Sequence, residues 1–190
     1  MKRLIIGLLA VAALTCSSAA LAEGTKTVSG QLSGESEWQP PFIRTTAWTI
    51  HGTYTSDALG SGTYSGALAT NHDVVDASVE APAGCFAAFL VPCQSPRFAI
   101  TGSVTFTSDK GASITGTVAP GSWVVEADAF PSTGYTFDLT LELSGGTRRF
   151  KHLTGSLSLS YQSQDQIGIG CGFDCGKNLD FGTLTGSIGH

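Results

Sequence analysis

The chain has 190 residues, fifteen Asp+Glu against ten Lys+Arg, and a net charge of −5 at pH 7. A balance this acidic, with no basic run, argues against nucleic acid or an anionic membrane surface as partner. Apolar residues at 42% against 13% charged residues, spread evenly along the chain, exclude a disordered polymer.

The first element in chain order is a leader. Lys2 and Arg3 precede the apolar run Leu4–Leu14, and Ala20-Leu21-Ala22 offers small residues at a cleavage point, the pattern of a secretory signal peptide. Residues 1–22 are therefore expected to be removed, leaving one domain over 23–190, secreted by a bacterium to the extracellular side. The apolar run is too short to cross a bilayer, and no later stretch reaches about 18 uninterrupted apolar residues, so no membrane span is expected. Lipid anchoring through Cys16 is disfavoured, because Ala13-Leu14-Thr15-Cys16 departs from a Leu-x-(Gly/Ala/Ser)-Cys lipobox at both informative positions. Without Lys2 and Arg3 the net charge moves from −5 to −7. The remaining chain has the length of one domain, able to bury roughly 70% of its unfolded surface.

No helix pattern follows the leader. Alternation of period two predicts strands over 26–33, 42–56, 61–69, 73–80, 97–107, 112–119, 122–128, 134–143, 149–162, 165–171 and 178–188. Turn residues separate them at Asp57–Gly60, Ser108–Gly111, Pro131–Gly134 and Ser144–Gly146. Residues 82–96 hold three prolines and two cysteines and read as a loop. Successive short strands without crossover helices imply an all-β, single antiparallel barrel of about 8–10 strands, with a β-sandwich as the alternative.

Four cysteines remain after the leader: Cys85, Cys93, Cys171 and Cys175. An even number in an exported chain implies disulfides, with three pairings open. The local pairing, Cys85–Cys93 with Cys171–Cys175, is favoured on a condition. Residues four apart in a straight strand lie ~13 Å apart, and a disulfide needs Cα atoms within about 7 Å, so Gly172-Phe173-Asp174 must turn. The cysteine spacings do not match a metal site, and no metal or other cofactor is expected.

Glycine placement separates barrel from sandwich. Leu153, Gly155, Leu157, Leu159 and Tyr161 share one strand face, while Thr154, Ser156, Ser158 and Ser160 share the other. The same phase holds for Val28/Gly30/Leu32, Trp48/Ile50/Gly52/Tyr54, Ile100/Gly102/Val104/Phe106, Ile114/Gly116/Val118 and Leu184/Gly186/Ile188. Glycine inside a strand costs roughly 0.5–1 kcal/mol relative to alanine. Repeated on the apolar face, it fits a sheet that bends until it closes, with room left for aromatics from neighbouring strands.

The stretch Gly145-Gly146-Thr147-Arg148-Arg149-Phe150, followed by Leu153-Thr154-Gly155-Ser156-Leu157, resembles a known segment, Gly-Gly-Thr-Gly-x-Phe-x-x-(Ala)-Thr-Gly-x-(Leu). Such segments occur in small secreted actinobacterial β-barrel proteins and, more distantly, in the dirigent and allene-oxide-cyclase barrel group. The hairpin His51–Gly66 resembles the opening hairpin of the same secreted proteins. The likeness covers about half of the mature chain and implies a barrel of about eight antiparallel strands around an apolar lumen. Arg148 stands where those proteins have glycine, and both cysteine loops are additions. No catalytic residue of the cyclase or dirigent enzymes falls on a matching motif here.

Motifs for catalysis are absent: there is no Gly-x-Ser-x-Gly, His-Glu-x-x-His or Gly-x-x-x-x-Gly-Lys-(Ser/Thr). The basic cluster Arg148, Arg149, Lys151 and His152 is a candidate anion or ligand contact. Trp38 and Trp123, read as lying off the glycine-bearing face that holds Trp48, are candidate stacking platforms or lids. His51, on the Thr face, would need Asp57 to act as a base, and Glu35/Glu37, Glu126/Asp128 and Asp138/Glu142 read as surface carboxylate pairs. The expected function is that of a non-catalytic secreted barrel, a monomer that binds a small apolar ligand or an extracellular partner. The alternatives are a cyclase-like barrel enzyme acting on an apolar small molecule and a cell-surface structural protein. A lumen without buried charge would exclude general acid–base work, whereas a buried Asp, Glu or His with converging polar partners would favour the enzyme.

Overall fold

The computed structural model describes residues 24–38, 47–76, 97–129, 132–165 and 177–189. Eleven strands form one sheet: β1 (Lys26–Trp38), β2 (Ala47–Ser56), β3 (Gly60–Ala69), β4 (Val74–Asp76), β5 (Arg97–Ala99), β6 (Thr101–Ser108), β7 (Ser113–Val118), β8 (Trp123–Ala129), β9 (Ser132–Gly146), β10 (Thr154–Asp165) and β11 (Lys177–Gly189). Eight of them, β1, β2, β3, β6, β7, β9, β10 and β11, pair in that order, and β11 pairs back onto β1 from Lys26↔Ile188 to Glu37↔Lys177. That last pairing closes the sheet and sets the fold apart from a sandwich. Every pairing is antiparallel. The short strands β4, β5 and β8 continue β3, β6 and β7 past interruptions, and β8 pairs with the first half of β9.

The two ends of the barrel differ. One carries tight turns: Asp57–Leu59, Asp109–Gly111 and a 3₁₀ turn at Arg148–Phe150. The strands leave from the other end toward residues 39–46, 77–96, 130–131 and 166–176, beyond the described segments. The favoured cysteines Cys85, Cys93, Cys171 and Cys175 fall in these connections, and with Cys16, the leader and the strand predicted over 166–171 they lie outside the described residues.

The lumen is filled by the face that alternation assigned to it. On β9, Tyr135, Phe137, Leu139, Leu141 and Leu143 are buried, while Asp138 and Glu142 between them are exposed. Trp48 meets Phe137 edge to face at 5.4 Å, Tyr54 meets Phe106 at 5.4 Å, and Phe137 meets Tyr161 at 5.7 Å, separations favourable for aromatic pairs. Glycine makes this filling feasible. A Cβ on Gly34 would lie 2.1 Å from the His51 carbonyl oxygen and 2.7 Å from the Tyr64 hydroxyl, so glycine there admits both the close β2 backbone and the end of that ring.

Three expectations are corrected. The strand predicted from 149 starts at Thr154, because the Phe150 N–H bonds the Thr147 carbonyl and turns the chain first. The first strand runs to Trp38 rather than 33, which puts Trp38 in phase with Ser36 and directly opposite Trp48 in the β1–β2 register. Gly155 was expected to spare crowding on the concave face. Instead it has φ +137°, and a Cβ there would lie 2.2 Å from the Ser187 carbonyl oxygen of β11. The constraint is the neighbouring backbone, not the lumen.

Candidate functional site

The residues singled out from sequence do not assemble into one site. Arg148 has φ +51°, the left-handed conformation that glycine adopts freely. Its guanidinium donates to the Lys110 carbonyl, and that of Arg149 donates to the Leu59 carbonyl while lying 4.6 Å above the Phe150 ring. The two arginines therefore tie the β9–β10 turn to the other two tight turns, above the buried Leu59 and Phe150. Lys151 and His152 are exposed beside them. Trp123 is half-buried on β8, with the Arg97 guanidinium 4.2 Å over its ring, and Trp38 ends β1 at the far end of the barrel. His51 lies 3.9 Å from Glu35, not beside Asp57. The Asp57 carboxylate accepts the Ser29 N–H at 2.9 Å, which holds its pKa below the ordinary value.

A polar cluster inside the lumen escaped the sequence reading. Asp180 of β11 is fully buried, next to Gly34 of β1 and Ser163 of β10 in register. Ser36 donates to Asp180 Oδ1 at 3.0 Å, and the Tyr161 hydroxyl donates to Oδ2. Ser36 and Ser163 hydroxyls are 3.0 Å apart, and those of Tyr64 and Tyr161 are 3.2 Å apart. Burial raises the pKa of Asp180, partly offset by hydrogen bonds from Tyr161, Ser36 and Ser163. Burial also raises Tyr161, reinforced by the Asp180 charge, and lifts Tyr64 to about 12. Both phenols thus stay protonated at neutral pH, and the chain Tyr64–Tyr161–Asp180 can pass a proton toward the carboxylate. The signal was the strand phase itself: Asp180 shares a face with Leu184, Gly186 and Ile188, Ser163 with Leu157, Leu159 and Tyr161, and Ser36 with Val28 and Leu32.

The outer wall carries a second feature. Across β2, β1, β11 and β10 runs an open groove of about 470 Å³. On its floor lies Phe181, 52% exposed, between Ser33 of β1 and Gln162 of β10 in register. The adjoining row is Thr55, Gln31, Thr183 and Ser160. Among the described residues, none that lines the groove is charged. Leu179, 41% exposed, lies two residues along the same face of β11. The sequence signal would have been two apolar residues, Leu179 and Phe181, in the hydroxyl phase of the last strand. The chain matches no protein family, no curated protein and no solved structure.

Proposed function

We propose that the barrel is an exported, non-catalytic binding protein that takes its partner on the outer wall, over β2, β1, β11 and β10. The observation that carries this reading is the groove around Phe181: an exposed aromatic ring, framed by hydrogen-bonding side chains, on a rigid sheet. A concave surface with one apolar anchor and several convergent polar groups is how binding sites are built. The lumen offers no such space among the described residues, since Tyr54, Tyr64, Phe106, Phe137 and Tyr161 fill it at 0–2% exposure. Export follows from the leader pattern and suits the four cysteines of the mature chain. The test is retention of labelled protein on intact cells and secreted polymers of its source organism. Thr183→Arg, which plants a charge on the groove floor at an exposed position, should lower retention at least tenfold. Equal retention of the variant, or none by the wild type, overturns the wall as the binding surface.

One observation favours a second reading, the barrel enzyme. Asp180 is a buried carboxyl with a raised pKa and converging hydroxyl partners, the arrangement expected of a general acid or base. In that reading Asp180 exchanges the proton, Tyr161 and Ser36 orient it, and a small apolar substrate enters from the end of the long connections. Native mass spectrometry of protein purified from its source checks it. A retained small molecule that Asp180→Asn loses would favour the enzyme, and a ligand-free barrel would sink it.

A further inference from the structure

The groove that carries the proposed function is neutral, hydroxylated and floored by one bare ring, and these three properties select a ligand class. We propose that its occupant is a neutral glycan, one sugar ring stacking on Phe181 with its hydroxyls bonded to Gln31 and Gln162. This rests on the outer wall being the binding surface. A ring exposed by 52% in the middle of a serine and threonine face is matched by a molecule with an apolar C–H face and a rim of hydroxyls. Carboxamides and hydroxyls each both donate and accept, as sugar hydroxyls do, so either partner can supply the hydrogen. Gln162 is the direct cross-strand neighbour of Phe181, and Gln31 lies diagonally across it on the opposite side, so the two amides bracket the ring.

The competing chemistries fit less well. An ionic ligand would leave its charge unpaired, because no described residue lining the groove is charged and His51 and Glu35, one row away, lie 3.9 Å apart. The chain's net negative charge further disfavours an anionic polymer. A protein partner needs roughly 1,000 Å² of interface with an apolar core, whereas the large apolar side chains exposed here are Leu179 and Phe181. The groove volume falls inside the ~300–1,000 Å³ range of ligand sites, and it is open along the wall, as a chain ligand requires. Across four strands, at about 4.8 Å per spacing, it spans roughly 14 Å.

Affinity electrophoresis of the mature protein tests this, with gels containing β-glucan, mannan or the anionic polymer alginate. At least one neutral polysaccharide should retard the wild type, and alginate should not. Phe181→Ala should bind at least tenfold more weakly at an unchanged melting temperature, and Gln162→Ala several-fold more weakly. If alginate retards the protein as strongly as the neutral gels, the glycan class is wrong. If no neutral polysaccharide binds, yet retention on source cells is still lost in Phe181→Ala, the glycan is wrong and the wall stands. If Phe181→Ala matches the wild type on both cells and gels, both readings fall.

Discussion

Replacing Asp180 with asparagine is the most informative perturbation of the lumen. The side chain keeps its shape and one carbonyl oxygen, so either Tyr161 or Ser36 retains its acceptor, and the new amide N–H can turn to a serine hydroxyl. At pH 7 two opposed effects nearly cancel. A hydrogen bond to a charged group contributes about 1.5–3 kcal/mol and is weakened. The desolvation of the carboxylate, several kcal/mol for a fully buried ion, is relieved. We expect the stability at pH 7 to change by less than about 1.5 kcal/mol. The decisive signature lies in the pH dependence. Because burial raises the folded-state pKa of Asp180 above its unfolded value, the native state holds this proton more tightly. The wild type is therefore most favoured below the ordinary carboxylate pKa. It loses that advantage as pH rises to the raised value, by about 1.4 kcal/mol per unit of difference. Urea unfolding of both proteins between pH 3.5 and 7 isolates the effect as their difference, since the other titrating groups are shared. The wild type should gain on the variant as pH falls. A difference that stays flat, or turns the other way on acidification, refutes the assignment of Asp180 as a buried, destabilised carboxylate.

Gly155→Val should destabilise by at least about 2 kcal/mol, because φ +137° is closed to a branched side chain and the Cβ meets the Ser187 carbonyl. In a domain of this size that lowers the melting temperature by roughly 4–8 °C, and an unchanged melting curve contradicts it. Arg148→Gly should leave stability unchanged or raise it by up to about 1 kcal/mol, relieving the left-handed backbone at the loss of one exposed hydrogen bond. A loss above 1 kcal/mol would show that the bond to Lys110 matters more than the backbone. Intact mass of protein purified from its source should show removal of residues 1–22 and of four hydrogens; a free thiol in the mature chain breaks the disulfide expectation.

How legible each part was follows from what alternation can see. The β9 and β10 faces were readable because Phe137, Leu139, Leu141, Leu157 and Leu159 repeat without interruption. Ser36, Ser163 and Asp180 were missed because a strand's inner face is inferred from apolar residues, and a polar side chain near a strand's end looks like the end of the strand. Phe181 is the mirror case, an apolar residue in the polar phase. Arg149 to His152 alternate as a strand would, yet Arg148 turns left-handed before them. Pairing β1 with β11 joins residues 140 to 162 positions apart, from Glu37↔Lys177 to Lys26↔Ile188, which no local pattern encodes.

That closing pair has a consequence for how the molecule comes into being. Five of the other seams join consecutive strands and can zip as hairpins, and β3–β6 and β7–β9 close around β4, β5 and β8, but β1 keeps one bare edge until β11 is made. Long-range closure carries the largest loop entropy and is the slowest kind of contact to form. A chain cut before Lys177 would not be a smaller barrel. It would be an open sheet with unpaired edges at β1 and β10, a template for joining other copies of itself. Synthesis and folding of this chain are thus coupled to its thirteen-residue β11, and the threshold between a closed ring and an aggregating ribbon is crossed only when that strand arrives.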